Sequence, residues 1–204
     1  MSFKLIDLNY SSNPKDCCYF FDSNILLPVL GLPYRDGFEK YLTFFNAVYG
    51  HCLENPALKI YTCSNQLSEV FNILMNVEMK KVYNTEEKRR YPDSKKFFKD
   101  IFRPSEKYVQ KFELFKNEFL TYAEVFELVD LGGRMTLTEL MSFDVKNLDF
   151  NDQVILQCVK STECTLVSDD KDFYGNDITQ ATFNGSLIKK FRDQPIKTKV
   201  AVNS

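Results

Sequence analysis

Four acidic residues stand where an α/β chain places its chemistry. Asp22 follows the apolar run Cys17–Phe21, and Glu69 comes shortly after the polar pair Ser64-Asn65. Asp152 opens the apolar stretch Asp152-Gln153-Val154-Ile155, and Asp170 lies in Ser168-Asp169-Asp170-Lys171-Asp172. Carboxylates gathered in one place repel one another, so some must protonate, or the site must loosen, unless a cation joins them. Oxygen-only ligands favour a hard ion, Mg²⁺ or Mn²⁺, over zinc. Carboxylates with such an ion suit phosphoryl chemistry, in which the metal polarises a phosphate and activates water. Other chemistries lack their residues. The only histidine is His51, and the six cysteines at 17, 18, 52, 63, 158 and 164 form no CxxC pair. That argues against a zinc site and against a histidine-dependent triad.

Each acid also has a plainer reading. Asp22, Ser23 and Asn24 are all good N-caps for the segment that follows. Glu69 suits the positive end of a helix dipole, and Asp149 or Asn151 can cap a helix over Asp152–Lys160. Asp169 and Asp170 are adjacent, and their side chains point in opposite directions if the segment is extended; Asp169 and Asp172 are the weaker candidates as metal ligands.

The elements that must position these acids follow from periodicity. Cys17–Phe21 reads as a strand covered on both faces, and Thr165–Val167 as a second buried strand ending in acids. Phe38, Tyr41, Leu42, Phe45 and Val48 predict an amphipathic helix that stops near Gly50. Leu67, Val70, Phe71, Leu74 and Val77 predict another over Gln66–Val82, capped by Ser64 or Asn65. Pro104-Ser105-Glu106 opens a helix to about Phe126. Gly132-Gly133 breaks the chain, and Met135–Phe143 is a short helix. Phe3–Leu8, Ser186–Ile188 and Lys199–Val202 read as edge strands. In a parallel sheet, strand C-termini and the helix N-termini that follow them share one edge, so Asp22, Glu69, Asp152 and Asp170 are expected to converge there.

Composition bounds the class. The chain has 204 residues, is 44% hydrophobic and carries a net charge of −2, which describes one globular domain and not a generally basic nucleic-acid binder. The opening residues lack a long apolar core, so no signal peptide is expected, and no run is long enough to span a bilayer. The cysteines are expected to be reduced, mostly buried thiols of a cytoplasmic protein.

Residues 79–103 differ from the rest, with nine Lys or Arg against four acids. Tyr83, Tyr91, Phe97 and Phe98 are interleaved with Lys88, Arg89, Arg90, Lys95 and Lys96. Basic groups that track phosphates and aromatics that stack on bases would suit single-stranded nucleic acid. The alternative is a solvated helical hairpin whose aromatics turn into the core.

Four segments in order resemble the PIN-domain ribonucleases, a family that includes the VapC-like toxins of toxin–antitoxin pairs. They are Phe21-Asp22-Ser23-Asn24-Ile25-Leu26-Leu27, Ser64 to Glu69, Asn151-Asp152-Gln153-Val154-Ile155, and Leu166-Val167-Ser168-Asp169-Asp170-Lys171-Asp172-Phe173. The resemblance covers about 17–80 and 145–175. It implies a single PIN-like domain over 1–204, a three-layer α/β/α fold with a central, mainly parallel sheet and a helical, partly basic insertion at about 83–140. It implies a metal-dependent endoribonuclease in which Asp22, Asp152 and Asp170 hold Mg²⁺ or Mn²⁺. Glu69 would complete the site and orient or deprotonate the attacking water, with Ser23 or Asn24 fixing the carboxylates. RNA, single-stranded or in a structured loop, would be the substrate. An antitoxin protein and a second copy of the chain are the partners it implies; a membrane is not. The competing readings are a catalytically silent PIN-fold module that binds RNA or protein, and a phosphatase or nuclease on another α/β fold.

Overall fold

The computed structural model describes residues 3–33, 36–87, 90–129, 131, 135–142 and 148–193, with the backbone alone for Thr85, Glu86 and Leu137. The described strands are β1 (Lys4–Asp7), β2 (Tyr19–Phe21), β3 (Ile60–Thr62), β4 (Phe126–Leu128), β5 (Thr165–Val167) and β6 (Thr179–Thr182). They form one sheet in the order β1-β6-β5-β2-β3-β4, and every pairing is parallel.

Parallel neighbours need long crossovers. The helices are α1 (Ser23–Val29) and α2 (Glu39–Glu54) between β2 and β3, α3 (Ser64–Val82), α4 (Ser94–Phe97) and α5 (Glu106–Leu120) between β3 and β4, α6 (Leu137–Met141) and α7 (Phe150–Thr162) between β4 and β5, and α8 (Gly185–Arg192) after β6; residues 168–178 join β5 to β6 without a helix. Two π-helical turns, Tyr83–Glu87 and Phe98–Phe102, flank α4.

The strand pleat sorts side chains into two cores. Tyr19 and Phe21 of β2 join Val167 and residues of α1, α2 and α3 on one face. Phe20 and Leu166 join Val154, Ile155, Cys158 and Val159 of α7 on the other. Alternation along three-residue strands thus builds a three-layer α/β/α fold. All six cysteines are free thiols. Among the described residues, no helix is long and apolar enough to cross a membrane.

The short edge strand expected at the N-terminus is β1, and Thr165–Val167 is a strand with the predicted bounds. Other expectations change. Gly50 lies inside α2, which runs on to Glu54. The helix opened by Ser105 ends at Leu120, and Phe126 begins β4 instead, so the span 83–140 carries one strand of the sheet. Ser186–Ile188 is helical, because the Asn184 side chain accepts hydrogen bonds from the Ser186 and Leu187 amides and starts α8. The strand beside it is Thr179–Thr182, whose Thr-Gln-Ala-Thr sequence carries no strong apolar signal. Gly132, Gly133, Phe143 and Lys199–Val202 lie outside the described residues.

The insertion resolves its two readings for the aromatics. Tyr83, Phe97 and Phe102 are buried, and Tyr91 and Phe98 pack against the same core. The Tyr83 hydroxyl donates to the Tyr91 and Pro92 carbonyls at 2.7 and 3.1 Å, and the Tyr83 and Tyr91 rings lie 5.3 and 5.5 Å from that of Phe97. These rings are not a base-stacking platform. Arg90, Lys95 and Lys96 remain exposed, and Lys88 and Arg89 lie outside the described residues.

Candidate active site

β2 and β5 are neighbours at the centre of the sheet, and the chain leaves them in opposite directions, toward β3 and toward β6. That reversal is a topological switch point, where open α/β sheets form their ligand crevice beyond the strand C-termini. Asp22 ends β2, and Ser168 follows β5. The Asp22 amide donates to the Val167 carbonyl at 3.0 Å, so the ladder continues to the edge of the crevice.

Asp22 occupies the N-cap position of α1, yet its side chain makes no capping bond. The carboxylate is 5% exposed and accepts a hydrogen bond from the Ser168 hydroxyl at 2.7 Å. Burial pushes its pKa up from 3.8 to about 6, with the Asp170 and Glu69 carboxylates adding to the rise and the Ser168 bond opposing it. α1 ends in a Schellman arrangement that returns the chain toward α2. The Leu32 amide reaches the Leu27 carbonyl, the Gly31 amide reaches the Pro28 carbonyl, and Gly31 has φ +83°.

Ser23 turns the other way. Buried at 3% exposure, its hydroxyl donates to Glu69 Oε2 at 2.8 Å. It therefore orients Glu69 and not Asp22, while Asn24 is exposed. α3 starts at Ser64, with Cys63 at the cap position, which places Glu69 in its second turn. Gln66, fully buried, fixes that placement. Its Nε2 donates to the Phe21 carbonyl at 2.6 Å, and its Oε1 accepts from the Thr62 hydroxyl at 2.8 Å.

Asp152 lies in the first turn of α7. Asp149 caps that helix, accepting from the Asp152 amide at 2.9 Å. Burial pushes the Asp152 carboxyl up from 3.8 to about 7, followed in order by the charges of Asp149, Asp22, Asp170 and Glu69. Asp170 sits in a turn. Its amide donates to the Ser168 hydroxyl, its Oδ1 accepts from the Asp172 amide, and its carbonyl accepts from Gln180 Nε2, each at 2.9 Å. Asp169 faces away, toward α2, where its Oδ1 accepts from the Tyr41 hydroxyl at 3.1 Å. Asp172 is exposed.

The fold therefore brings Asp22, Glu69, Asp152 and Asp170 within electrostatic reach of one another at one edge. Among the described residues, no three acid, histidine or cysteine side chains stand close enough to grip one ion together. The donors still match a hard divalent ion in chemistry, since all are carboxylate oxygens whose mutual repulsion adds to the raised pKa values of Asp22 and Asp152. Mg²⁺ does not require a closed cage. It keeps several waters and binds through one or two carboxylates together with substrate phosphates.

Three further residues shape this edge. Ser168 joins Asp22 to the Asp170 turn, and Gln66 ties α3 to β2. The Tyr41 hydroxyl, besides its bond to Asp169, lies 2.9 Å from Thr182 Oγ1 and accepts from the Phe183 amide at 2.9 Å. A hydroxyl directly after an apolar strand marked Ser168 in the sequence; Gln66 and Tyr41 lay hidden within helical stripes. No family model, no curated protein and no solved structure matches the chain.

Proposed function

We propose that the chain is a metal-dependent endoribonuclease of PIN-like type, hydrolysing RNA phosphodiester bonds at the edge formed by Asp22, Glu69, Asp152 and Asp170. The observation that carries this reading is the convergence of four carboxylates, from two strand ends and two helix starts, at the switch point of a parallel sheet. A bound Mg²⁺ or Mn²⁺ would polarise the scissile phosphate and supply an activated water. Asp22, Asp152 and Asp170 would hold the ion directly or through waters.

The chain's own residues provide the order that such a site needs. Ser168 donates to Asp22 Oδ2 and so fixes the orientation of that carboxylate. Ser23 holds Glu69 through Oε2, so Glu69 Oε1 is the atom that would take the proton of the attacking water. Asp169 belongs to the packing against α2 and Asp149 to the helix cap, and neither enters the chemistry. Exposed Arg90, Lys95 and Lys96 supply cationic surface for the RNA backbone, and Lys88 and Arg89 extend that run in sequence. A toxin role with an antitoxin partner and a homodimer rest on the family resemblance alone, and a cytoplasmic location on the cysteine usage.

The test is incubation of purified protein with several single-stranded RNAs, with Mn²⁺, with Mg²⁺ or with chelator. Cleavage that needs the metal and vanishes in Asp22→Asn supports the reading. RNA binding without metal-dependent cleavage would replace it with a silent RNA-binding module.

A further inference from the structure

Beside the acidic edge lies a cavity of about 270 Å³. It opens between the start of α3, the residues after β4, and helices α6 and α7. Val129, Leu140, Phe150 and Val154 form apolar walls, and Ser64 and Asn65 bring a hydroxyl and a carboxamide to one side. None of its described lining residues is Asp, Glu, Lys or Arg. Phe150 is 40% exposed, so its ring is accessible at the surface. The volume is at the small end of ligand sites, which run from about 300 to 1,000 Å³.

Two features of its position limit the occupant. Ser64 and Asn65 also line a second groove, of about 470 Å³, whose wall includes Glu69 and Asn151. The cavity thus shares two wall residues with a groove that contains one of the four acids. On its other side Phe150 and Val154 flank Asp152 on the same first turns of α7. A group seated in the cavity would lie between the helix starts that carry Glu69 and Asp152. The described lining suits a small group that is largely apolar on its faces and polar at its edge.

We propose that this cavity holds one base of a single-stranded RNA, with the base against Phe150 and its edge toward Asn65. The inference rests on the hydrolase reading only for the identity of the ligand as RNA. A nucleobase is neutral, has two apolar faces for the Val129, Leu140 and Val154 walls, and has a hydrogen-bonding rim suited to a carboxamide and a hydroxyl. Stacking on an aromatic side chain tolerates any base. The pocket would therefore seat the chain beside the acids without imposing a strict sequence.

The experiment uses binding, without turnover. A short single-stranded RNA carrying 2-aminopurine at successive positions is titrated with the full chain in chelator. Stacking in the pocket should quench the probe. Phe150→Ala should weaken binding about fivefold or more and restore the fluorescence, and the cavity-filling Leu140→Phe should do the same. Asp22→Asn should keep the quench. Thermal melts confirm that each variant is folded; because Phe150 is partly exposed, its truncation spares the core. Wild-type affinity and quench in both pocket variants, or no quench at any position in the wild type, would overturn the proposal. Quench without metal-dependent cleavage of the same RNA would sink the hydrolase reading and leave the pocket standing. Cleavage with the quench unchanged in both variants would do the reverse.

Discussion

The Ser168 hydroxyl donates to Asp22 Oδ2 across 2.7 Å, joining residues 146 positions apart in the chain. The same hydroxyl accepts from the Asp170 amide, so one oxygen couples the ends of two central strands to the turn that carries a second acid. Removing it leaves a buried carboxylate without its donor. Ser168→Ala should destabilise the protein by about 1–3 kcal/mol in urea unfolding and lower RNA cleavage. A neutral result on both would show that Asp22 is held by something else.

Asp22→Asn should retain the Ser168 bond through the amide oxygen and remain folded, while metal-dependent RNA cleavage disappears. Glu69→Gln should act alike, because its amide oxygen can still accept from the Ser23 hydroxyl. Full activity in either variant would remove that residue from the site.

Stability of the metal-free protein should fall as pH rises from about 4 to 7. Asp22 and Asp152 have raised pKa values in the folded state, so in that window the folded chain keeps protons that the unfolded chain releases. Unfolding free energy then decreases with pH, the reverse of a salt-bridged acid. Asp22, with its pKa raised from 3.8 to about 6, accounts for on the order of 3 kcal/mol of this loss. Half-exposed Asp152 contributes less than its shift implies, because solvent screens it. Asp22→Asn removes the Asp22 part, so its stability relative to wild type should improve between about pH 4 and 6 and level off above about pH 7 in chelator. A constant difference would contradict the raised value. Mn²⁺ should raise the melting temperature more at pH 7.5 than at pH 5.

Gln66→Leu tests whether the fit of α3 to β2 is structural or also sets the site. It leaves the Phe21 carbonyl and Thr62 hydroxyl unpaired in the core, each worth about 1–3 kcal/mol. Cleavage measured well below the melting temperature should fall in kcat, since Glu69 shares that helix start. An unchanged kcat in a destabilised variant would confine Gln66 to folding.

The insertion separates its charges from its rings. Phe97→Ala should cost about 3–5 kcal/mol of stability. Charge reversal at Arg90, Lys95 and Lys96 should leave stability within about 0.5 kcal/mol. The reversals should weaken RNA binding and flatten its salt dependence, by about 0.7 units of log–log slope for each phosphate that is no longer neutralised. Unchanged binding would make this segment a solvated surface only.

Much of the positioning was legible one strand or helix at a time. The apolar run ending at Phe21 and the one ending at Val167 are strands that finish just before Asp22 and Ser168. The stripes from Val70 to Leu74 and from Val154 to Val159 lie on buried helix faces. These signals are local, because burial of one face imposes its period on the residues that form it. β6 and β4 escaped notice because their sequences, Thr-Gln-Ala-Thr and Phe-Glu-Leu, owe their strand state to neighbours already in place.

A parallel α/β architecture, and the order in which four acids reach the ends of its elements, can be read along the chain. The strand order cannot; packing sets it, and with it the switch point between β2 and β5 that places Asp22 beside Ser168. It also assigned the hydroxyls, Ser23 to Glu69 and Ser168 to Asp22, and turned Asp169 toward Tyr41 while Asp170 stayed with the acids. The interleaved aromatics of the insertion joined the core for the same reason. Periodicity is written over a few residues, whereas a side chain's partner depends on which distant segment packs against it, and that is settled when the layers close.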